Sequence, residues 1–545
     1  MYDSLKIRKF ESEILDKHHL SFELYSYSED IVIPYLLQSY GDIGRYRDII
    51  LKNNISEFNF QGYLTNMTHG ISHCIRWIKK QAKSNHDEIP DNLNISVFHN
   101  QIMDFLNWGV SYHLIAQEFV IWSRGLKSAQ LNEKEKTIKF INSNNYNYSD
   151  IYTKQLLYGE QLQGVFENYP HSIMEDEFSE WVKEIDFSKP PIANQIKWSR
   201  GQISKSFPLL YSTMESIVFP ELIDDTDLGG YNLSQLRRFF ALMFLNFYYI
   251  TCVESLIDSK YGVQNSFGSN PLNIKKSEID EFISEITGLP YPVSQAIIKD
   301  LTFNPDSFHT SISIQPFILS STNIYYILPN LFTQLDPQRV ILGAMNKSPE
   351  KKKVYDRLIN KIEKVNLKKI FDALSQTEKW NNYQERTIKF NNKQINPDLI
   401  LIDKTEKFIC IVDYKHFIVP ITASEVQFRM NELEKGIRQI ENYKIVLSKK
   451  GHLGKDDINN YEICGLLLTH RPLPIPIKNN INIGIADMDS FISKLAQNIS
   501  LRNFWIDFYD YPNHKEIKKE FSKIESEVNV TDWKIIREQF FLSFE

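Results

Sequence analysis

Three side chains in the C-terminal half of this chain have the types and the spacing for chemistry at a phosphate. The stretch from Asn396 to Phe417 reads NPDLILIDKTEKFICIVDYKHF. It places Asp398 at the head of one apolar run, and Asp413 and Lys415 at the tail of the next. The polar turn Lys404-Thr405-Glu406-Lys407 separates two β-rich runs, which predicts a β-hairpin. Residues two apart on a strand share a face, so Asp413 and Lys415 point the same way, and the preceding strand brings Asp398 beside them. Two carboxylates and an ammonium on adjacent buried strands are costly unless they pair with one another or hold a metal. Carboxylate oxygens are hard ligands suited to Mg²⁺ or Mn²⁺. The chemistry such a cluster serves is phosphodiester hydrolysis, which needs an activated water, neutralised charge at the phosphate and help for the leaving oxygen.

Further residues fall into place around this hairpin. Gln439 and Tyr443 are four apart on a segment with helical apolar spacing, so both lie on one helix face. With Pro397-Asp398, fourteen intervening residues, then Asp413-Tyr414-Lys415, and with the Gln-x-x-x-Tyr pair downstream, residues 345–497 resemble the PD-(D/E)xK nuclease superfamily, and its RecB-like members in particular. The resemblance covers under a third of the chain. It implies a restriction-endonuclease-like domain whose catalytic residues are Asp398, Asp413, Lys415, Gln439 and Tyr443, with metal held by Asp398 and Asp413. It also implies a further acid on the helix before the hairpin, EKKKVYDRLINKIEKVNLKKIFDAL. Asp356 is preferred there because it follows an aromatic residue; Glu363 is the rival. Arg429, Arg438 and Lys444 share the later helix with Gln439 and are candidates for contact with a nucleic-acid backbone; a solvated helix face is the equal alternative. His416 points away from Lys415 and reads as structural.

The elements that must position these residues follow from periodicity. From residue 345 the expected order is helix, strands at Arg386–Phe390, Pro397–Ile402 and Phe408–Phe417, a helix from Ser424 to about Ser448, strands at Ile463–Leu468 and Ile483–Ala486, and a helix at Asp489–Ala496. That order is an α/β arrangement of αβββαβ type with a mixed sheet, the restriction-endonuclease-like layout. Residues 1–300 read as a mostly α region, because apolar residues recur there at three and four rather than at two. Pro190-Pro191 suggests a split into two subdomains. Residues 301–344 read as a β-hairpin bridge around Ser320-Ser321-Thr322-Asn323, and residues 501–545 as a C-terminal helical extension.

Composition sets the outer limits. At 545 residues the chain has room for several domains. The N-terminus lacks an apolar signal region, and the most apolar stretch, Phe239–Val253, is too short to span a bilayer, so a cytoplasmic protein without a membrane partner is expected. The four cysteines are scattered in apolar surroundings without metal-ligand spacing, which predicts buried free thiols. Net charge is −6, so the chain is not basic throughout. The distribution is more telling. Residues 1–344 carry 29 Lys and Arg against 40 Asp and Glu, residues 345–500 carry 26 against 19, and the remainder 7 against 9. The basic segment is the one with the nuclease-like motif, as a phosphate-binding surface requires.

The resemblance implies a Mg²⁺- or Mn²⁺-dependent deoxyribonuclease and, by analogy with such nucleases joined to large helical regions, a role in bacterial anti-phage defence or restriction. Two other readings stay open at this point. One is a nuclease-like domain that grips nucleic acid without cutting it. The other is a sensor or scaffold that works through its helical N-terminal region, by a protein partner or by homo-oligomerisation.

Overall fold

Helical spacing of apolar residues builds the first of two compact units. The computed structural model describes residues 2–45, 57–82, 94–143, 146–147, 211–212, 215, 217–261, 271–307, 310–347, 349–376, 380–384, 387–391, 393–420, 423–473, 475, 477–478, 482–495, 497, 500–509 and 521–542. The first unit comprises Met1–Ala116, Gly164–Arg357 and Val528–Asp532; the second comprises Gln117–Gln163, Leu358–Glu527 and Trp533–Glu545. Pro190-Pro191 lies outside the described residues, as does the side chain of Cys252. Cys74, Cys410 and Cys464 are buried free thiols.

In the first unit, helices Glu29–Arg45, Glu57–Gln81 and the Ile95–Ser123 helix bury Val32, Leu36, Ile71, Ile75, Ile102 and Phe105 in one cluster. The apolar stretch at 239–253 lies within helix Leu233–Tyr261, with Phe239, Phe240 and Phe247 buried. Among the described residues, no helix is long and apolar enough to cross a membrane. The hairpin expected at 301–344 exists, with strands Ile318–Leu319 and Ile324–Ile327 and Asn323 at φ 63° in its turn. It is not a separate bridge, because Leu272–Lys275 pairs with Ile324–Ile327 and makes it part of a three-stranded sheet of this unit.

Helices Glu57–Gln81 and Ile95–Ser123 touch backbone to backbone at two glycines. A Cβ added at Gly109 would lie 2.5 Å from Cys74 Sγ and 2.6 Å from the Gly70 carbonyl oxygen; one added at Gly70 would lie 2.6 Å from the Val110 nitrogen. The obstructing atoms include backbone, which cannot step aside as a side-chain end can. Gly109→Ala is therefore expected to destabilise the first unit by about 2–3 kcal/mol, the range for overpacking. Gly62→Ala, on an open helix face with nothing within 4 Å, is expected to stabilise it by about 1 kcal/mol. Urea unfolding of both variants checks the pair, and equal effects would contradict close packing at this crossing.

The second unit is built on a five-stranded mixed sheet. Its elements are helix α1 (Lys352–Ser375, in this unit from Leu358), strands β1 (Asn381–Gln384), β2 (Leu399–Asp403) and β3 (Phe408–Lys415), helix α2 (Ala423–Lys450), and strands β4 (Glu462–Thr469) and β5 (Gly484–Asp487). The order across the sheet is β5-β4-β3-β2-β1. Strand β2 runs antiparallel to both β1 and β3, while β4 runs parallel to β3 and β5 parallel to β4. Every residue of β2, and all of β3 but its last, is buried, as the apolar runs foretold. Alternate residues serve the two faces. Leu399, Leu401, Val412 and Tyr414 pack with Leu367, Ile370 and Leu374 of α1, whereas Ile400, Ile402, Ile409 and Ile411 pack with Tyr443, Val446 and Leu447 of α2.

Three sequence expectations need correction. The strand placed at Arg386–Phe390 is not in this sheet: Ile388–Phe390 forms a small hairpin with Lys393–Ile395, and the sheet edge is Asn381–Gln384. An edge strand with only one partner needs no apolar alternation, so its polar sequence Asn-Asn-Tyr-Gln hid it. The helical extension at 501–545 is helical only over Leu501–Tyr509, and continues as strands Phe521–Val530 and Trp533–Leu542. The mostly α N-terminal region also contains a hairpin, Lys127–Asn132 with Thr137–Asn142. These four strands form one sheet, in which Trp533–Leu542 lies parallel to Thr137–Asn142. Strands that pair across about four hundred positions carry no local sign of their partner.

Candidate active site

The antiparallel register of β2 and β3 sets Leu399 against Val412 and so carries Asp398 opposite Asp413. Both fall on the face that packs under α2, at the end of the sheet where β3 finishes. Asp413 is buried, with 2% of its side chain exposed, and pairs with the Lys415 ammonium at 2.8 Å; Lys415 retains 29% exposure, so the cluster opens to solvent through the lysine. Asp398 Oδ2 accepts the Tyr414 N–H at 2.8 Å. Two residues on, the His416 N–H donates to Glu363 Oε1 at 3.2 Å. Carboxylates from the residue preceding β2 and from α1 therefore hold the alternate backbone amides that flank Lys415.

Of the two candidate acids on α1, it is Glu363 that joins this cluster. Asp356 belongs to the first unit, is exposed and pairs with Lys352 at 3.1 Å, one turn earlier on its own helix. Helix periodicity explains the difference. The buried face of α1 runs through Leu358, Ile362, Asn366, Ile370 and Leu374, and Glu363 borders that face.

Three carboxylates share one ammonium, and the protonation energies record the imbalance. Burial, followed by the charge of Asp413, pushes the Asp398 carboxyl up to about 7, against the opposing Tyr414 N–H and Lys415. Burial also raises Asp413, although Lys415 and a hydrogen bond with Asp398 oppose the rise. Glu363 is raised by burial against the His416 N–H and Lys415. For Lys415, burial favours the neutral amine, but Asp413, Asp398 and Glu363 outweigh it and raise the pKa. Lys415 is thus a firm ammonium at neutral pH.

The Gln439 amide donates to the Tyr443 hydroxyl, which in turn donates to the Asn396 carbonyl at 3.3 Å. Burial raises the Tyr443 hydroxyl, against the Gln439 hydrogen bond, and the charges of Asp413, Lys415 and Asp398 also act on it. The proposed backbone contacts separate. Arg429 is buried: it donates to the Ile418 carbonyl at 3.2 Å and to Glu432, and lies 5.7 Å from the Phe417 ring centroid. It braces the chain after Lys415 and cannot reach a phosphate. Arg438 is exposed and pairs with Glu434 at 3.7 Å, and Lys444 is half-buried.

One group escaped sequence reasoning. Asn366 is fully buried; its amide donates to the Tyr414 hydroxyl at 3.0 Å and meets His470 Nδ1 at 3.3 Å. His470 lies 4.8 Å from His416, ring to ring, and its backbone N–H donates to the Lys415 carbonyl at 3.3 Å. The signal was a single polar residue in the middle of an apolar row spaced by four.

The residues present fit a hard divalent cation in kind: one buried and two half-buried carboxylates, an excess of negative charge and an opening through Lys415. Among the described residues, no three His, Cys, Asp or Glu side chains are gathered as a metal-ion site. Comparison with protein-family models, with curated proteins and with solved structures gives no match to this chain.

Proposed function

We propose that this protein is a metal-dependent phosphodiester hydrolase acting on nucleic acid, with DNA as its preferred substrate, and that its second unit is a restriction-endonuclease-like core of the PD-(D/E)xK superfamily. The observation that carries this reading is the cluster of three carboxylates around one ammonium at the open end of a mixed sheet. A buried excess of negative charge with this composition is stabilised either by protons or by a cation. The order of elements, one helix, three antiparallel strands, a second helix and a parallel strand, supports the same reading.

In the reaction, Asp398 and Asp413 would hold Mg²⁺ or Mn²⁺, which when bound supplies Lewis-acid polarisation of the phosphoryl group. Asp398, ionised as a ligand of the cation, would orient the attacking water, whose proton leaves to solvent at the open end of the sheet. The water oxygen forms a bond to phosphorus as the bond to the leaving oxygen breaks. Lys415, held as an ammonium, stabilises the charge that grows on the phosphoryl oxygens. Tyr443, oriented by Gln439 and Asn396, offers a hydroxyl to the same region.

The test is incubation of purified protein with plasmid DNA, linear duplex and RNA, each with Mg²⁺, Mn²⁺ or EDTA. Metal-dependent cleavage abolished by EDTA is expected. Binding with no cleavage under any metal would favour the nuclease-like protein that grips without cutting.

The outer side of α1 is a candidate track for the nucleic-acid backbone. Lys361, Lys364 and Lys368 recur at three and four along α1 and are all exposed, on the side away from its apolar row. With no acid among them, they present a positive stripe. For each lysine that engages a phosphate, the slope of log affinity against log salt falls by about 0.9 on removal. Replacing all three with glutamine is expected to flatten the slope of DNA binding by about 2–3. Filter binding across a salt series measures it, and an unchanged slope would place the DNA track elsewhere.

A further inference from the structure

A carboxamide with no exposure, on a buried helix row otherwise made of Leu358, Ile362, Ile370 and Leu374, is an expensive choice. Leucine would fill such a space without desolvating an amide, and its neighbours four residues away on the same row, Ile362 and Ile370, show what the row otherwise demands. Buried polar groups of this kind are best explained where they fix the register of one element against another. Asn366 joins two elements that matter. It is three residues from Glu363 on α1, and its partners Tyr414 and His470 stand on either side of the backbone bond that His470 makes to Lys415.

We propose that Asn366 is a positioning residue that pins helix α1 against the end of β3, and so holds Glu363 on the His416 amide beside Lys415. A helix rises about 1.5 Å per residue, so a slip of one position is enough to carry Glu363 off its hydrogen bond. An apolar contact surface tolerates such a slip, because it has no direction; the Asn366–Tyr414 hydrogen bond does not. The buried histidine pair completes the pin. Burial, then the charges of Arg429 and Arg471, push His416 down to about 4, so it stays neutral and adds no charge behind the carboxylates. This inference rests on the hydrolase reading only in what it says of metal binding.

The experiment reads the pin without reference to catalysis. Hydrogen–deuterium exchange at the His416 amide is followed in the wild type, Asn366→Leu, Tyr414→Phe and the double variant. The Tyr414→Phe change removes the other end of the same hydrogen bond and guards against a variant that simply misfolds. Exchange faster by about tenfold in each single variant is expected, equivalent to about 1.4 kcal/mol of lost protection, with no further gain in the double. Mn²⁺ affinity, measured by titration calorimetry, is expected to fall about tenfold in step, as for other groups that orient metal ligands. Unchanged exchange in both single variants, or effects that add in the double, would overturn the pin. If the wild type binds no Mn²⁺ at all, the hydrolase reading fails, and the exchange data still decide the role of Asn366.

Discussion

Lys415→Ala and Asp413→Ala are each expected to lower metal-dependent cleavage by on the order of 10³-fold or more. The two residues form the 2.8 Å ion pair at the centre of the cluster, and each fails for a different reason when truncated. Removing Asp413 takes away the most buried carboxylate, the one least able to be replaced by solvent. Removing Lys415 takes away the sole ammonium among three carboxylates, so the remaining acids retain their protons to higher pH and the phosphoryl charge loses its partner. Lys415→Arg is not expected to rescue, because a planar guanidinium does not occupy the place of a compact ammonium. The same assay separates the two acids of α1. Glu363→Gln should cost at least about tenfold, the size of effect seen when a group orienting a metal site is lost. Asp356→Asn, exposed and paired with Lys352, should change nothing. Plasmid cleavage scored at matched folded fraction is the measurement, and undiminished cutting by both alanine variants would dismiss the hydrolase assignment.

The second large effect is on pH. Asp398 is held at about 7 in the folded protein, against an ordinary value of 3.8. Its protonated form is therefore the one favoured by folding. The stabilisation it contributes is complete below about pH 4 and is lost as pH rises through 7. A cation reverses this preference, since it binds only the ionised carboxylate. Mn²⁺ affinity is expected to increase by nearly tenfold per pH unit below 7 and to level off above it, a gain on the order of 20-fold between pH 5.5 and 7.5. Without metal, Asp398→Asn should gain on the wild type between pH 5 and 7 by on the order of 2 kcal/mol in unfolding free energy. Calorimetric titration across the pH series, with denaturant unfolding in EDTA, tests both halves. A metal affinity independent of pH in this range would mean that Asp398 is not a ligand. Comparing the variant with the wild type at each pH cancels the opposite trend from buried neutral histidines such as His416, whose pKa is lowered.

How much of this was legible beforehand can be traced residue by residue. The β2–β3 hairpin, its polar turn and the face shared by Asp398, Asp413 and Lys415 followed from strand period alone. The pairing of Gln439 with Tyr443 followed from helical spacing. Glu363 was visible as a candidate and ranked second, because the preference for an acid after an aromatic residue outweighed the burial phase of α1. Arg429 was selected by charge, and no local pattern shows that its guanidinium turns inward to the Ile418 carbonyl and the Phe417 ring.

Side-chain periods of two and 3.6 are local properties, and they determined by themselves that Asp398, Asp413 and Lys415 share a strand-end face and that Gln439 and Tyr443 share a helix face. Tertiary structure alone decided which acid of α1 arrives there, that Asn366 and His470 stand behind Lys415, and that the last strands of the second unit pair with a hairpin near residue 130. Those outcomes depend on packing between segments distant in sequence, where the energy lies in burial and in hydrogen bonds whose partners no local window contains.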